Sequence, residues 1–296
     1  MQELKGSFVA LVTPMKSNGE IDYPALKELV EWHIESGTHG LVSVGTTGES
    51  ATLNFNDHVK VLEKTISYIN NKIVAIAGTG ANSTDEAIEL SKAASSIGYQ
   101  FALSVTPYYN KPNQQGLEAH YKKIADSSVI KNILYNVPSR TACDLEPDTV
   151  NRLILHENIV GIKEAVDDPK RYKALIKMAN NSLKPFYVLS GDDPTFFDFM
   201  KSGGDGVISV AANVIPEEIS KIAKDSLEGN FEKAAKINGK YKRLFELLFI
   251  ESNPIPVKWI LNRMNMINDG IRLPLTQLQD INHAHIENEM LKLGLL

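Results

Sequence analysis

Phe101-Ala102-Leu103-Ser104-Val105-Thr106-Pro107, then Asn132-Ile133-Leu134-Tyr135-Asn136-Val137, then Ile159-Val160-Gly161-Ile162-Lys163 are short apolar runs that recur at near-even spacing. Similar runs precede them at Phe8–Thr13, Leu41–Gly45 and Ile73–Gly78, and follow at Tyr187–Gly191 and Gly206–Val210. Each is near-continuously apolar rather than alternating, the pattern of parallel strands covered on both faces. Helical periods fill the gaps. Tyr23–Ser36 places Leu26, Leu29, Val30 and Ile34 on one face, and Thr84–Ile97 does the same with Ile88, Leu90 and Ala94 behind a Ser83 or Thr84 cap. Eight strands alternating with helices predict a parallel sheet, and eight is the number that closes a (β/α)8 TIM barrel; an open doubly wound sheet is the alternative. After the eighth run only helical signals remain, at Pro216–Leu227, Phe231–Phe249, Pro254–Asn265 and Thr276–Leu293. The expected organisation is a catalytic barrel over residues 1–228 and a C-terminal helical extension, residues 229–296, packed on it.

The 296 residues carry 31 Lys plus Arg against 36 Asp plus Glu, a net charge of −5 that argues against a nucleic-acid binder. Apolar residues at 43% and charged residues at 23% exclude disorder as the main state. The single cysteine, Cys143, cannot form an intramolecular disulfide or a Cys-based zinc site, so a cytosolic chain is expected. The apolar run Phe8–Val12 is too short for a signal-peptide core, and no stretch is long enough to span a membrane. The histidines show no metal-ligand spacing; His283 and His285, two apart on a helix, do not share a face. No metal is expected.

In a barrel of this kind the active site lies at the C-terminal ends of the strands. Lys163 stands out there, because a charged Lys in an apolar strand is costly to bury unless paired or neutral. Pairing with Glu164 is one reading, but alternation points Glu164 to the other face of the strand. The other reading is a desolvated amine, its pKa pushed down, that attacks a carbonyl to form a Schiff base. Tyr135, ending the neighbouring strand, is placed to shuttle protons or simply to pack. Thr46 and Thr47, within Gly45-Thr46-Thr47-Gly48, offer hydroxyls and backbone N–H groups suited to a small carboxylate; a plain tight turn is the alternative. Arg140, after Pro138-Ser139, is either a bidentate carboxylate clamp or a surface charge.

Taken together, five strings resemble the 4-hydroxy-tetrahydrodipicolinate synthase family, long called dihydrodipicolinate synthase, of the dihydrodipicolinate synthase/N-acetylneuraminate lyase superfamily. They are Gly45-Thr46-Thr47-Gly48-Glu49-Ser50, Val105-Thr106-Pro107-Tyr108-Tyr109-Asn110, Tyr135-Asn136-Val137-Pro138-Ser139-Arg140-Thr141, Gly161-Ile162-Lys163-Glu164-Ala165 and Asn253-Pro254-Ile255-Pro256-Val257-Lys258. The resemblance runs from about Gly6 to Leu296 and departs locally at Val166-Asp167-Asp168-Pro169.

The resemblance implies a Schiff-base lyase that condenses pyruvate with L-aspartate 4-semialdehyde, without a metal or organic cofactor, in diaminopimelate and lysine biosynthesis. It implies Lys163 as the imine-forming residue and Tyr135 as general acid and base. Thr46, Tyr135 and Tyr109 would form a hydroxyl relay, with Tyr109 reaching in from a neighbouring subunit of a homotetramer. Thr47 and the Thr46 and Thr47 amides would hold the pyruvate carboxylate, and Arg140 the semialdehyde carboxylate. Gly191 and Ile208 would line the site, the Ile208 carbonyl facing pyruvate. An inhibitory L-lysine site is implied at Ser50, Ala51, His58, Asn82, Glu86 and Tyr108. Asn82 and Glu86 also read as the cap and first turn of the helix near Thr84. A related aldolase such as N-acetylneuraminate lyase and a non-catalytic sensor barrel are the competing readings. Arg140 argues against the first; the retention of Lys163 and Tyr135 argues against the second.

Overall fold

The computed structural model describes residues 3–296, and among them eight strands close into a parallel barrel in chain order. The strands are β1 Gly6–Ala10, β2 Gly40–Ser43, β3 Val74–Gly78, β4 Phe101–Val105, β5 Lys131–Asn136, β6 Ile159–Glu164, β7 Tyr187–Ser190 and β8 Gly206–Ser209. The TIM barrel expected from the spacing of the apolar runs is therefore the observed fold, and β1 pairs with β8 to close it. No helix among the described residues is long and apolar enough to cross a membrane.

The strands match the predicted runs to within a few residues, and the differences have local causes. β1 ends before the predicted Thr13 because the Val12 N–H turns to Asn213 Oδ1 at 3.1 Å, and β4 ends before Pro107, which carries no N–H to continue a ladder. The helices start where the sequence supplies a cap or a proline. Asp22, Asn54, Ser83, Asn113 and Asp168 each accept a hydrogen bond from a first-turn N–H, and Pro147, Pro169 and Pro216 open their helices. Asp168, in the stretch that departs from the family pattern, is thus a helix cap. The last helix begins at Asp280 rather than Thr276, since Glu251 holds the Gln279 N–H and Asp269 holds the Gln277 amide.

Two layers of core position the site. Inside the barrel, Phe8, Val42, Ile76, Phe101, Leu103, Ile133, Leu189 and Ile208 pack into a solid plug. Outside it, one continuous apolar cluster runs from barrel residues such as Val9 and Leu41 through Ile219 to Leu244, Phe245, Leu261 and Met290 of the C-terminal helices. The C-terminal helices thus share the core of the barrel, which holds residues near 250 against the strand ends.

Candidate active site

Strand register sets the central pair. Tyr135 on β5 and Lys163 on β6 are directly paired, and Lys163 is paired in turn with Leu189 on β7. Side chains alternate along a strand, so Lys163 points into the barrel and Glu164 points out. Lys163 is only 5% exposed, and its Nζ lies 4.3 Å from the centre of the Tyr135 ring. It takes part in no salt bridge among the described residues. Glu164 is bound elsewhere, to Arg171 Nε at 2.8 Å and Asn136 Nδ2 at 3.0 Å. Burial raises the Glu164 pKa, and Arg171 opposes that rise. The alternative in which Glu164 neutralises Lys163 is thereby removed.

Above the apolar plug lies a cavity of about 350 Å³, a size suited to small metabolites. Six of the eight predicted catalytic and substrate residues line it: Thr46, Thr47, Tyr135, Arg140, Lys163 and Gly191. Gly191 makes room for the amine, since a Cβ there would sit 2.8 Å from Lys163 Cε. Arg140 is exposed at the rim, on a four-residue helix started by Pro138, and forms no salt bridge among the described residues. Ile208 belongs to the plug, and Val210 lines the cavity two residues later. Tyr109 is 90% exposed and lies outside the cavity of its own chain. Within one chain no hydrogen bond joins Thr46, Tyr135 and Tyr109.

The turn after β2 is held under strain. Val44 and Glu49 flank Gly45–Gly48 with φ of 54° and 58°, left-handed values that cost a β-branched residue most. Gly48 and Ser50 both donate to the Gly45 carbonyl, and Glu49 donates to that of Thr46. Among the described residues, the Thr46 and Thr47 N–H groups have no acceptor, which leaves two adjacent donors beside a buried hydroxyl. This arrangement suits a carboxylate.

Asp192 and Asn253, of which the sequence raised no expectation, also line the cavity. Burial raises the Asp192 carboxyl, with a hydrogen bond from Thr195 and the nearby Lys163 opposing. Its neighbour Asp193 is fully buried and pushed up to about 6 by desolvation; it accepts from Ser209 Oγ and the Val210 and Ala211 N–H groups, fixing the end of β8. Their signal was the polar pair Asp192-Asp193 after β7. Among the described residues no cluster of three or more His, Cys, Asp or Glu side chains could hold a metal ion.

The six residues of the expected lysine site fall around the β2 and β3 loops. Ser50 lines the main cavity and Ala51 is exposed. His58 is buried, with Nε2 on the Gly78 carbonyl at 2.8 Å, and burial lowers its pKa. Asn82 is not a helix cap: its amide donates to the Tyr108 carbonyl, and Ser83 is the cap. Tyr108 has its phenol raised by burial and then by the Glu86 charge.

The model of the dihydrodipicolinate synthetase family matches residues 3–292. The chain belongs to that family. The 4-hydroxy-tetrahydrodipicolinate synthase of Teredinibacter turnerae is 49% identical over 290 residues, covering 98% of this chain and 99% of its own. A chloride-inhibited dihydrodipicolinate synthase from Acinetobacter baumannii, solved with pyruvate, superposes with a TM-score of 0.97 at 49% identity, covering 99% of this chain and 100% of that one. A dihydrodipicolinate synthase from Cyanidioschyzon merolae, solved with lysine bound, gives 0.94 at 36% identity, with 100% of each chain covered. Membership of the dihydrodipicolinate synthetase family thus covers the barrel and the C-terminal helices together.

Proposed function

We propose that this chain is a 4-hydroxy-tetrahydrodipicolinate synthase, condensing pyruvate with L-aspartate 4-semialdehyde on Lys163. The observation that carries this reading is a buried lysine that forms no salt bridge among the described residues, set beside a tyrosine in a cavity of metabolite size. Full-length identity near 50% to a synthase of that name supports the substrate pair.

The Lys163 amine adds to C2 of pyruvate, and water leaves as the imine forms. The imine draws electrons, so a methyl proton is lost and an enamine carbon appears. That carbon attacks the aldehyde, whose oxygen takes up a proton. The amine of the second substrate then adds to the imine carbon and displaces Lys163 as the ring closes. Tyr135 moves these protons, relayed by Thr46 and a partner subunit's copy of Tyr109. Thr47 and the free Thr46 and Thr47 N–H groups hold the pyruvate carboxylate. Arg140 clamps the semialdehyde carboxylate. The Ile208 carbonyl faces pyruvate, and Gly191 leaves room for the imine. Every step runs on groups of the protein, in a cytosolic homotetramer.

Borohydride trapping with pyruvate, followed by mass mapping, tests the reading. One reduced adduct is expected on the peptide carrying Lys163, absent in Lys163→Ala. Arg140→Ala is expected to trap pyruvate nearly as well as the parent. It should lose about 10²-fold in turnover with the semialdehyde, the scale of a lost charge-assisted contact. An adduct at another lysine sinks the assignment of Lys163.

L-lysine is the second proposed ligand, bound by Ser50, Ala51, His58, Asn82, Glu86 and Tyr108. The lysine-bound relative supports it, as does the Asn82 amide on the Tyr108 carbonyl at 3.2 Å, which brings two of these residues together. Titrating L-lysine at saturating pyruvate should inhibit turnover, and Glu86→Ala should remove most of that inhibition. Rates unchanged at millimolar lysine overturn this site.

A further inference from the structure

The Thr46–Glu49 turn is held from the far end of the chain. Lys258, on the helix Ile255–Arg263, makes a buried ion pair with Glu49 and donates to the Thr13 carbonyl at 3.1 Å. Glu49 also accepts from the Arg272 N–H at 3.1 Å, and Thr13 Oγ donates to the Gly48 carbonyl at 2.7 Å. Beside these ties stands Asn253. It is 5% exposed and forms part of the cavity wall, and its Nδ2 donates to Thr47 Oγ at 2.9 Å. Its Oδ1 is buried without a partner among the described residues. The bond to Thr47 is the one hydrogen bond the Asn253 amide makes among the described residues, and it offsets part of the cost of the orphan acceptor.

A hydroxyl has one proton to give. When Asn253 donates to Thr47 Oγ, the Thr47 proton cannot be spent on Asn253 and is left to point at another acceptor. We propose that Asn253 is a positioning residue of the C-terminal extension that fixes the Thr47 hydroxyl as a donor to the substrate carboxylate. The inference rests on the reading in which Thr47 holds pyruvate. It adds that the C-terminal segment, and not the barrel alone, sets the polarity of that contact.

The pyruvate concentration that half-saturates borohydride trapping is the readout. Asn253→Ala frees the hydroxyl to rotate and should raise that concentration roughly three- to tenfold, the scale of one neutral hydrogen bond. The KM for aspartate semialdehyde should stay within about twofold. Thr47→Val removes the hydroxyl that Asn253 acts through, so adding Asn253→Ala to it should cost little more. Asn253→Asp keeps the shape of the side chain and carries the test even if Asn253→Ala does not fold. Ionised, it only accepts, and its charge opposes the pyruvate carboxylate. Protonated, its O–H donates to Thr47 as the amide does. Its half-saturation relative to the parent should therefore fall toward one as pH is lowered. Additive effects with Thr47→Val, or a ratio for Asn253→Asp that ignores pH, overturn the inference. A parent protein that traps no pyruvate fails the functional reading instead.

Discussion

Lys163 depends on a neighbour that has no side chain. A Cβ on Gly191 would lie 2.8 Å from Lys163 Cε, 3.1 Å from its Cγ and 3.0 Å from Ala165 Cβ. The lysine end gives way more readily than Ala165 Cβ and the strand, so Gly191→Ala should fold at a cost of about 1–3 kcal/mol. Displacing the amine by an ångström is worth about 10² in rate, and pyruvate trapping should slow by about that factor. Parent-like trapping in Gly191→Ala, measured beside a thermal melt, contradicts this account. Lys163 was legible in the sequence because a charge in an apolar strand is an anomaly. Asn253 was not, because an Asn before a Pro is common in turns, and only the fold brings it to Thr47.

At the scale of the element, the segment after β4 is built outward. Asn110 donates to the Asn82 carbonyl and Asn82 to that of Tyr108, so two reciprocal amide bonds latch this segment to the β3 loop. Tyr109 and Lys111 sit at φ of 74° and 47°, each costing about 1 kcal/mol or more. That strain presents an almost fully exposed aromatic. Large aromatics in such a position suit an interface. Mixing Tyr109→Phe subunits with Lys163→Ala subunits should restore activity, because one site in the mixed dimer regains both the amine and the phenol. Proven mixing without recovery removes Tyr109 from the relay. The sequence marked the two adjacent tyrosines as odd, but their latch is a contact between loops 26 to 28 residues apart and left no local pattern.

At the scale of the molecule, burial decides how the protein answers acid. His33 is fully buried and pushed down to about 3 by desolvation, and His120 is pushed down to about 4 for the same reason. Both stay neutral in the folded chain while the unfolded chain takes up protons below about pH 6.5. Their contribution to stability is complete above that pH and is lost as pH falls toward the folded values, at up to about 1.4 kcal/mol per unit for each. Asp193 works in the opposite sense: its pKa of about 6 means it is least costly when protonated, so its contribution grows as pH falls from about 6 to 4. His33→Gln isolates one group. Urea unfolding from pH 7 to 5 should show the parent losing about 2 kcal/mol in all relative to the variant, most of it below pH 6.5. Parallel profiles would mean that His33 accepts a proton in the folded state.

The barrel is written in local pattern, since eight apolar runs at near-even spacing, each followed by helical period, leave few other ways to bury both faces of a parallel sheet. The sequence also marked Lys163, Tyr135, Thr46, Thr47 and Arg140 at converging strand ends, where the family resemblance added Gly191, and all six line one cavity. Folding in three dimensions was needed to show that Glu164 serves Arg171 rather than Lys163, that Val210 rather than the Ile208 side chain faces the cavity, and that Tyr109 stands outside the cavity of its own chain. It alone brought Asn253 and Lys258 onto the Thr46–Glu49 turn, across 206 and 209 residues of chain. The physical reason is range. Alternation and period are written in neighbouring residues, whereas a hydrogen-bond partner two hundred positions away is chosen by packing, which no local pattern records.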